Sequence, residues 1–229
     1  SHFFNKELVG ILLAFSFGFL VGLADDAYNT NPLLKFIGQA VCGVILVFSG
    51  IMIHLTGSFM IDSLFTVLWV VGIMNSINML DNMDGVTASI SVSILVACLI
   101  SLAIGGQFFS INTFIVIGIV GALIGFLFYN IHPSKMYMGD TGSQFLGVAL
   151  SSLSILLLWN HKQTAVVGFQ IVQVLPALLA FSVPIIDTAT VSIRRIARGQ
   201  SPFVGGRDHT THHLAYYGFS ERAVMYIMA

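Results

Sequence analysis

The chain has 229 residues, 56% of them hydrophobic and only 8% charged, with a formal net charge of -1. A soluble domain carries about 25% charged residues, so an ordinary soluble globule is excluded. The composition reads as an all-α, polytopic integral membrane protein embedded in a lipid bilayer. Nucleic acid is excluded as a partner, because no basic, solvated face is there to follow a phosphate backbone.

Apolar runs of roughly spanning length recur along the chain. A membrane-crossing helix needs about 20 mostly apolar residues. The runs fall at 8–24, 35–53, 64–80, 88–104, 111–129, 144–159 and 166–186, and another begins after Gly218. This predicts about seven to eight transmembrane helices in a single domain, 1–229. Cys42 and Cys98 sit inside such runs and read as small packing residues rather than a disulfide framework. The chain starts Ser1-His2 and stops at Ala229 inside an apolar segment, so a fragment of a longer protein is expected.

The connections carry the chemistry. Those on one side of the membrane hold Lys35, Lys135, Arg194, Arg195, Arg198, Arg207 and Arg222, against Lys6 and Lys162 on the other. The positive-inside rule makes the first side cytoplasmic. Asp25, Asp26, Asp81, Asp84, Asp140, Asp187 and Asp208 fall on that same side, although the rule takes no account of acids. Acids at membrane depth are costly and mark ion or substrate sites.

The first cluster, "GLADD" at 22–26, puts two carboxylates at a helix C-terminus, where the helix dipole disfavours them unless a cation is near. In "NMLDNMDG" at 78–85, Asn78, Asp81 and Asp84 are spaced three apart and share a helical face, an oxygen-rich set suited to a hard cation or a polar substrate. "YNIHPSKMYMGDTGS" at 129–143 places Asp140 between two glycines at a helix start, where backbone N–H groups favour anions and an Asp can ligate Mg²⁺. Tyr137 is placed to stack on a base. The loop from Arg194 to Leu214 is rich in arginine and histidine. His209, His212 and His213 have a spacing that zinc could use, but the absence of cysteine and the arginines favour phosphate. His54, His132 and His161 carry no partner signal. A Mg²⁺-binding carboxylate site beside a phosphate-binding loop, at the membrane boundary, suits phosphoryl transfer involving a lipid.

At "LADD" 23–26, "NSINMLDNMDG" 75–85, "MYMGDTGS" 136–143 and "RRIARGQSPFVGGRDHTTHH" 194–213, the sequence resembles the polyprenyl-phosphate N-acetylhexosamine-1-phosphate transferases. The blocks run in order through nearly the whole chain. The resemblance implies transfer of a sugar-1-phosphate from a UDP-sugar to undecaprenyl phosphate with Mg²⁺ (Mn²⁺ as a substitute), at the cytoplasmic face of a bacterial inner membrane, often in a homodimer. The lipid product would start a cell-envelope glycan such as teichoic acid or lipopolysaccharide. The arginine-rich last block is more similar to the UDP-GlcNAc branch than to the muramoyl-pentapeptide branch, whose histidine triplet is uninterrupted.

Carried over by position, Asp25 and Asp26 match the catalytic aspartate pair, with Asp25 as the candidate base. Asp140 matches the Mg²⁺ ligand, and Asn78, Asp81 and Asp84 line the metal and nucleotide site. Asn130 and Tyr137 flank the nucleotide. Arg194, Arg195, Arg207, His209, His212 and His213 match the loop near phosphate or sugar. Asn82 stands where the family commonly has glycine, and helices that usually precede "LADD" are missing, so this fragment alone is expected to be inactive. A CDP-alcohol phosphotransferase would need an arginine that "DGVTAS" lacks. A prenyltransferase would need two DDxxD-like motifs. A transporter would place its acids near the bilayer midplane instead of at helix ends.

Overall fold

Local signals punctuate the first helices. Helix α1 (Lys6–Tyr28) starts where Asn5 accepts the Leu8 N–H at 2.7 Å and stops at Asn29, in the left-handed region at φ 48°. Helix α2 (Pro32–Phe48) follows at once: the Asn31 side chain takes the Leu33 N–H, and Pro32 fills the first turn, where an N–H has no helical partner. Residues 5–159, 171–200 and 209–229 are described by the computed structural model, and no strand occurs among them.

Then come α3 (Phe59–Leu80), α4 (Val86–Ile104), α5 (Ile111–Asn130) and α6 (Gly139–Ser154), the last continued by a π-helical turn, Ile155–Trp159. α7 (Ile171–Ala180) and α8 (Ser182–Ala197) are bent by 70° at Phe181. Pro184 lies in the first turn of α8, where it can donate nothing back to α7. α9 (Thr210–Tyr216) and α10 (Glu221–Met228) are short.

Among the described residues, five helices are long and apolar enough to cross a membrane, counting α6 together with its π-helical turn, or six if α7 and α8 form one bent span. The sequence led us to expect seven to eight. α2 reaches only 17 residues, and the segment expected after Gly218 is the eight-residue α10, packed by α4. The run expected to end at 186 continues as helix to Ala197, carrying Asp187 and Arg195 into the protein interior. Residues 160–170, which include Lys162, His161 and the start of that run, lie outside the described residues.

The helices are unequally shielded. Over an 18-residue apolar stretch, α6 with its π-helical turn is 78% buried inside the protein and α5 only 17%. α6 is thus the axis, with α1 and α3 against it. Outward-facing Phe114, Ile117, Ile124 and Phe128 make α5 a lipid-facing wall. Inside the bundle, three carboxamides form a chain: Asn75 donates to Gln39 at 2.7 Å, and Gln39 donates to Gln144 at 3.1 Å, while the Gln144 Nε2 is buried without a partner. They lie one turn or so beneath the polar end of the bundle, where α1, α3 and α5 finish and α2, α4 and α6 begin.

Candidate functional site

At that end a lysine joins the acidic blocks. Lys35, in the first turn of α2, places its ammonium 2.7 Å from Asp25 Oδ2, 2.6 Å from Asp140 Oδ1 and 3.2 Å from Asn78 Oδ1. Thr30 donates both its N–H and its hydroxyl to Asp25 Oδ1, pinning the α1–α2 turn. Asn78 donates to Asp140 Oδ1 and, at 2.9 Å, to Ser143. Residues from α1, α2, α3 and α6 thereby meet at one point. The negative helix end at Asp25 has the cation that its position called for.

Asp26 points the other way. Its carboxylate accepts the backbone N–H groups of Asp140 and Thr141 at 2.9 and 2.8 Å, plus the Thr141 hydroxyl. It caps α6, whose own preceding residue, Met138, supplies no cap. Gly22 makes the approach possible: a Cβ there would lie 2.3 Å from the Asp140 carbonyl oxygen.

The turn after α3 faces two cavities. One, of about 630 Å³, is lined by Asp25, Lys35, Asn78, Asp81, Arg195 and His209 among others. The other, of about 440 Å³, is lined by Asp84, His132, His212, Tyr216 and Glu221. Asn82 lines both and so stands between them. Its carbonyl oxygen accepts from the Thr211 hydroxyl at 2.7 Å, and its amide donates to the Met79 carbonyl at 2.8 Å.

Asp81, just beyond the end of α3, has its carboxyl pushed up to about 6 by burial, which the nearby Thr87 hydroxyl opposes and the Asp140 and Asp84 carboxylates reinforce. A buried carboxyl driven toward neutrality, with further carboxylates beside it, is a place where a hard divalent cation would reverse that drive. Asp81 and Asp140 could hold it, with one Asp140 oxygen already engaged by Lys35 and Asn78.

Asp84 turns toward the second cavity and accepts from Ser134 N at 3.1 Å. His132 Nδ1 lies 3.0 Å from Asp84 and 2.8 Å from Glu221, and the ligand atoms of all three are within 4.8 Å of one another. No local pattern singles out His132 or Glu221, because they meet Asp84 only through the fold. Asn130 is buried as a clip: it accepts the Gly85 N–H at 3.0 Å and donates to the Met136 carbonyl at 2.8 Å.

The basic segment divides as well. Arg195 is buried and lines the larger cavity, while Arg194 is exposed and pairs with His213. His209 is buried against Asp187; His212 lines the smaller cavity. Tyr137 is 76% exposed and lines neither cavity. Arg207 lies outside the described residues. Lys35 was counted in the sequence only as a positive-inside charge, yet it is the centre of the first cluster.

Residues 8–158 match the family described as glycosyl transferase family 4. The chain belongs to this family. Among curated relatives, it is 36% identical over 212 residues to a probable undecaprenyl-phosphate N-acetylglucosaminyl 1-phosphate transferase of Bacillus subtilis, covering 89% of this chain and 57% of the relative. It is 28% identical to a decaprenyl-phosphate N-acetylglucosaminephosphotransferase of Mycolicibacterium smegmatis over 98% of this chain and 61% of that protein. A phospho-N-acetylmuramoyl-pentapeptide-transferase of Chlamydia muridarum is 27% identical over 96% of this chain and 63% of its own length. The chain therefore spans about three fifths of these relatives. The family match takes in α1 to α6 and so includes Lys35 and every acid around it.

Proposed function

We propose that the full-length protein is a polyprenyl-phosphate sugar-1-phosphate transferase, with undecaprenyl phosphate as acceptor and UDP-GlcNAc as donor. The observation that carries this reading is the Lys35 cluster, where Asp25, Asn78 and Asp140 converge on one ammonium at one end of a membrane bundle. The acceptor phosphate oxygen attacks the β-phosphorus of the UDP-sugar, the bridging P–O bond breaks, and UMP leaves. The new lipid diphosphate keeps the sugar.

Lys35 and Arg195 supply fixed positive charge for the transferring group. Asp81 and Asp140 would hold Mg²⁺, which neutralises diphosphate charge when bound. Asp25, tied to Lys35 and Thr30, anchors the ammonium. Its ion pair makes it a weak proton acceptor, and a lipid phosphate already ionised at neutral pH needs little base. The arginine distribution favours the cytoplasmic face for the site, which suits a nucleotide sugar made in the cytoplasm. GlcNAc is favoured over a muramoyl-pentapeptide donor because a relative named for it is 36% identical over 89% of this chain, whereas the pentapeptide transferases reach 35% over only 50% of it, or 27% over 96%.

The test uses the full-length protein in lipid with undecaprenyl phosphate, Mg²⁺ and radiolabelled UDP-GlcNAc. Label should enter the lipid phase with release of UMP, and EDTA or Asp140→Asn should abolish it. UDP-GlcNAc left intact would redirect the donor search, first to the muramoyl-pentapeptide; failure with every UDP-sugar would sink the transferase reading in favour of a transporter.

A further inference from the structure

Two carboxylates among the described residues are almost fully enclosed, Asp62 and Asp187, each 1% exposed. They are satisfied differently. Asp62 accepts only from the neighbouring loop, from the N–H groups of Leu55, Thr56 and Gly57 and the Thr56 hydroxyl. Its work is to close that loop. Asp187 binds across the fold: Oδ2 lies 2.8 Å from His209 Nδ1, and Oδ1 accepts the Thr210 N–H at 2.7 Å. That imidazole is buried, and it lines the same cavity as Lys35, Asp81 and Arg195.

A carboxylate can only accept, so the hydrogen on the 2.8 Å contact belongs to Nδ1. A neutral ring held this way has a bare Nε2, and that is the nitrogen left for anything in the cavity. The ring is not free to swing out. The Asp187–Thr210 bond docks the start of α9 on α8, and Thr211 fastens the same turn to Asn82 at 2.7 Å. One bond sets the tautomer, and two more set where the ring stands relative to the Asp81–Gly85 turn.

We infer that Asp187 is a positioning residue: it fixes His209 as the Nδ1–H tautomer and presents Nε2 to the phosphate-bearing ligand of the larger cavity. This rests on the transferase reading for the identity of the ligand, but the tautomer does not. Nε2 accepts a hydrogen bond from the monoanionic fraction of the lipid phosphate, which still carries one proton, and a proton taken there leaves the dianion and an imidazolium that the buried carboxylate stabilises.

The test separates this role from simple capping. Asp187→Asn keeps an oxygen for the Thr210 N–H but turns an NH₂ toward Nδ1, which favours the opposite tautomer. In full-length protein labelled with ¹⁵N-histidine, the His209 signal, assigned by its loss in His209→Gln, should show Nδ1–H in the wild type and Nε2–H in Asp187→Asn. Turnover of UDP-GlcNAc with undecaprenyl phosphate should fall about 100-fold in Asp187→Asn with KM for the nucleotide sugar little changed, and Asp187→Glu should recover part of it. A wild-type ring in the Nε2–H form overturns the inference, as does an Asp187→Asn protein that turns over normally. Should Asp187→Asn fail to fold, the wild-type tautomer and the turnover of His209→Gln decide it: Nδ1–H and loss of rate support the role, and either result reversed overturns it. A wild type inactive with every UDP-sugar would sink the transferase reading alone, since the tautomer is read without turnover.

Discussion

Asp26 caps a helix that starts 113 residues after it: its carboxylate takes the N–H groups of Asp140 and Thr141 and so fixes the first turn of α6 against the last turn of α1. The adjacent Asp25 instead binds Lys35. Two neighbouring acids thus do separate jobs. Removing a side-chain cap costs about 1–2 kcal/mol. Asp26→Ala should lower the thermal midpoint by several degrees and weaken Mg²⁺ dependence by displacing Asp140, whereas Asp26→Asn, which keeps one acceptor oxygen, should retain part of the turnover. Equal loss of turnover in Asp26→Asn and Asp25→Asn, with both proteins folded, would contradict a capping role.

Among the described residues, Lys35 is the one cation bonded to both Asp25 and Asp140. Without it these half-buried carboxylates keep their mutual repulsion and lose their anchor. Lys35→Met should cut turnover at least about 100-fold, the order expected for loss of a fixed charge at a transferring phosphoryl group. Lys35→Arg should not restore it, because a planar fork does not reproduce contacts to three separate oxygens. Steady-state rates on the two variants, measured beside their melting temperatures, check this; full activity in Lys35→Met would remove the residue from the site.

Much of the site was legible because its blocks are polar islands in apolar sequence. "LADD", "NMLDNMDG" and "GDTGS" could be placed at one membrane face from charge alone, and the fold brings Asp25, Asn78, Asp81 and Asp140 together there. What stayed hidden depends on pairings across the fold. Nothing local marks Lys35 as the hub, Asp26 as a cap for α6, or His132 and Glu221 as partners of Asp84. The end of α8 was missed because Asp187 looked like the start of a polar loop; its charge is tolerated inside because α9 brings it an imidazole and an N–H. The separation of Asp84 from Asp81 into different cavities also escaped the spacing argument, since that argument assumed a continuous helix and the chain leaves helical geometry at Asp81, with ψ at 51°.

Asp81 makes stability depend on pH and on metal together. Its folded-state carboxyl titrates near 6, above its ordinary 3.8, so the folded protein holds that proton longer than the unfolded chain. The preference is fully present below 3.8 and is lost as pH rises through about 6. Without divalent cations, the wild type should therefore lose stability relative to Asp81→Asn between pH 4 and 7, by about 2 kcal/mol before solvent screening. Mg²⁺ at pH 7.5 should close the gap by binding the ionised form. Thermal unfolding of both proteins across that range, with and without EDTA, measures it; parallel curves for the two proteins would show that Asp81 is not the group responsible.

Two glycines hold the helices at site distance, and a third gives the control. A Cβ on Gly22 would meet the Asp140 carbonyl oxygen at 2.3 Å, and one on Gly147 would meet the Met74 Cα at 2.7 Å; both obstacles are backbone and cannot rotate away. A Cβ on Gly72, in α3, would meet nothing within 4 Å. Overpacking of this kind costs about 1–3 kcal/mol or more, and at Gly22 it also pushes α6 and its Asp140 away from Lys35. Gly22→Ala should lose both stability and turnover, Gly147→Ala mainly stability, and Gly72→Ala neither, with a slight gain from the better helix former. Melting temperatures and initial rates for the three read the pattern directly. A Gly22→Ala protein that melts and turns over like the wild type would mean that α1 and α6 are not seated as closely as the Asp26 cap requires.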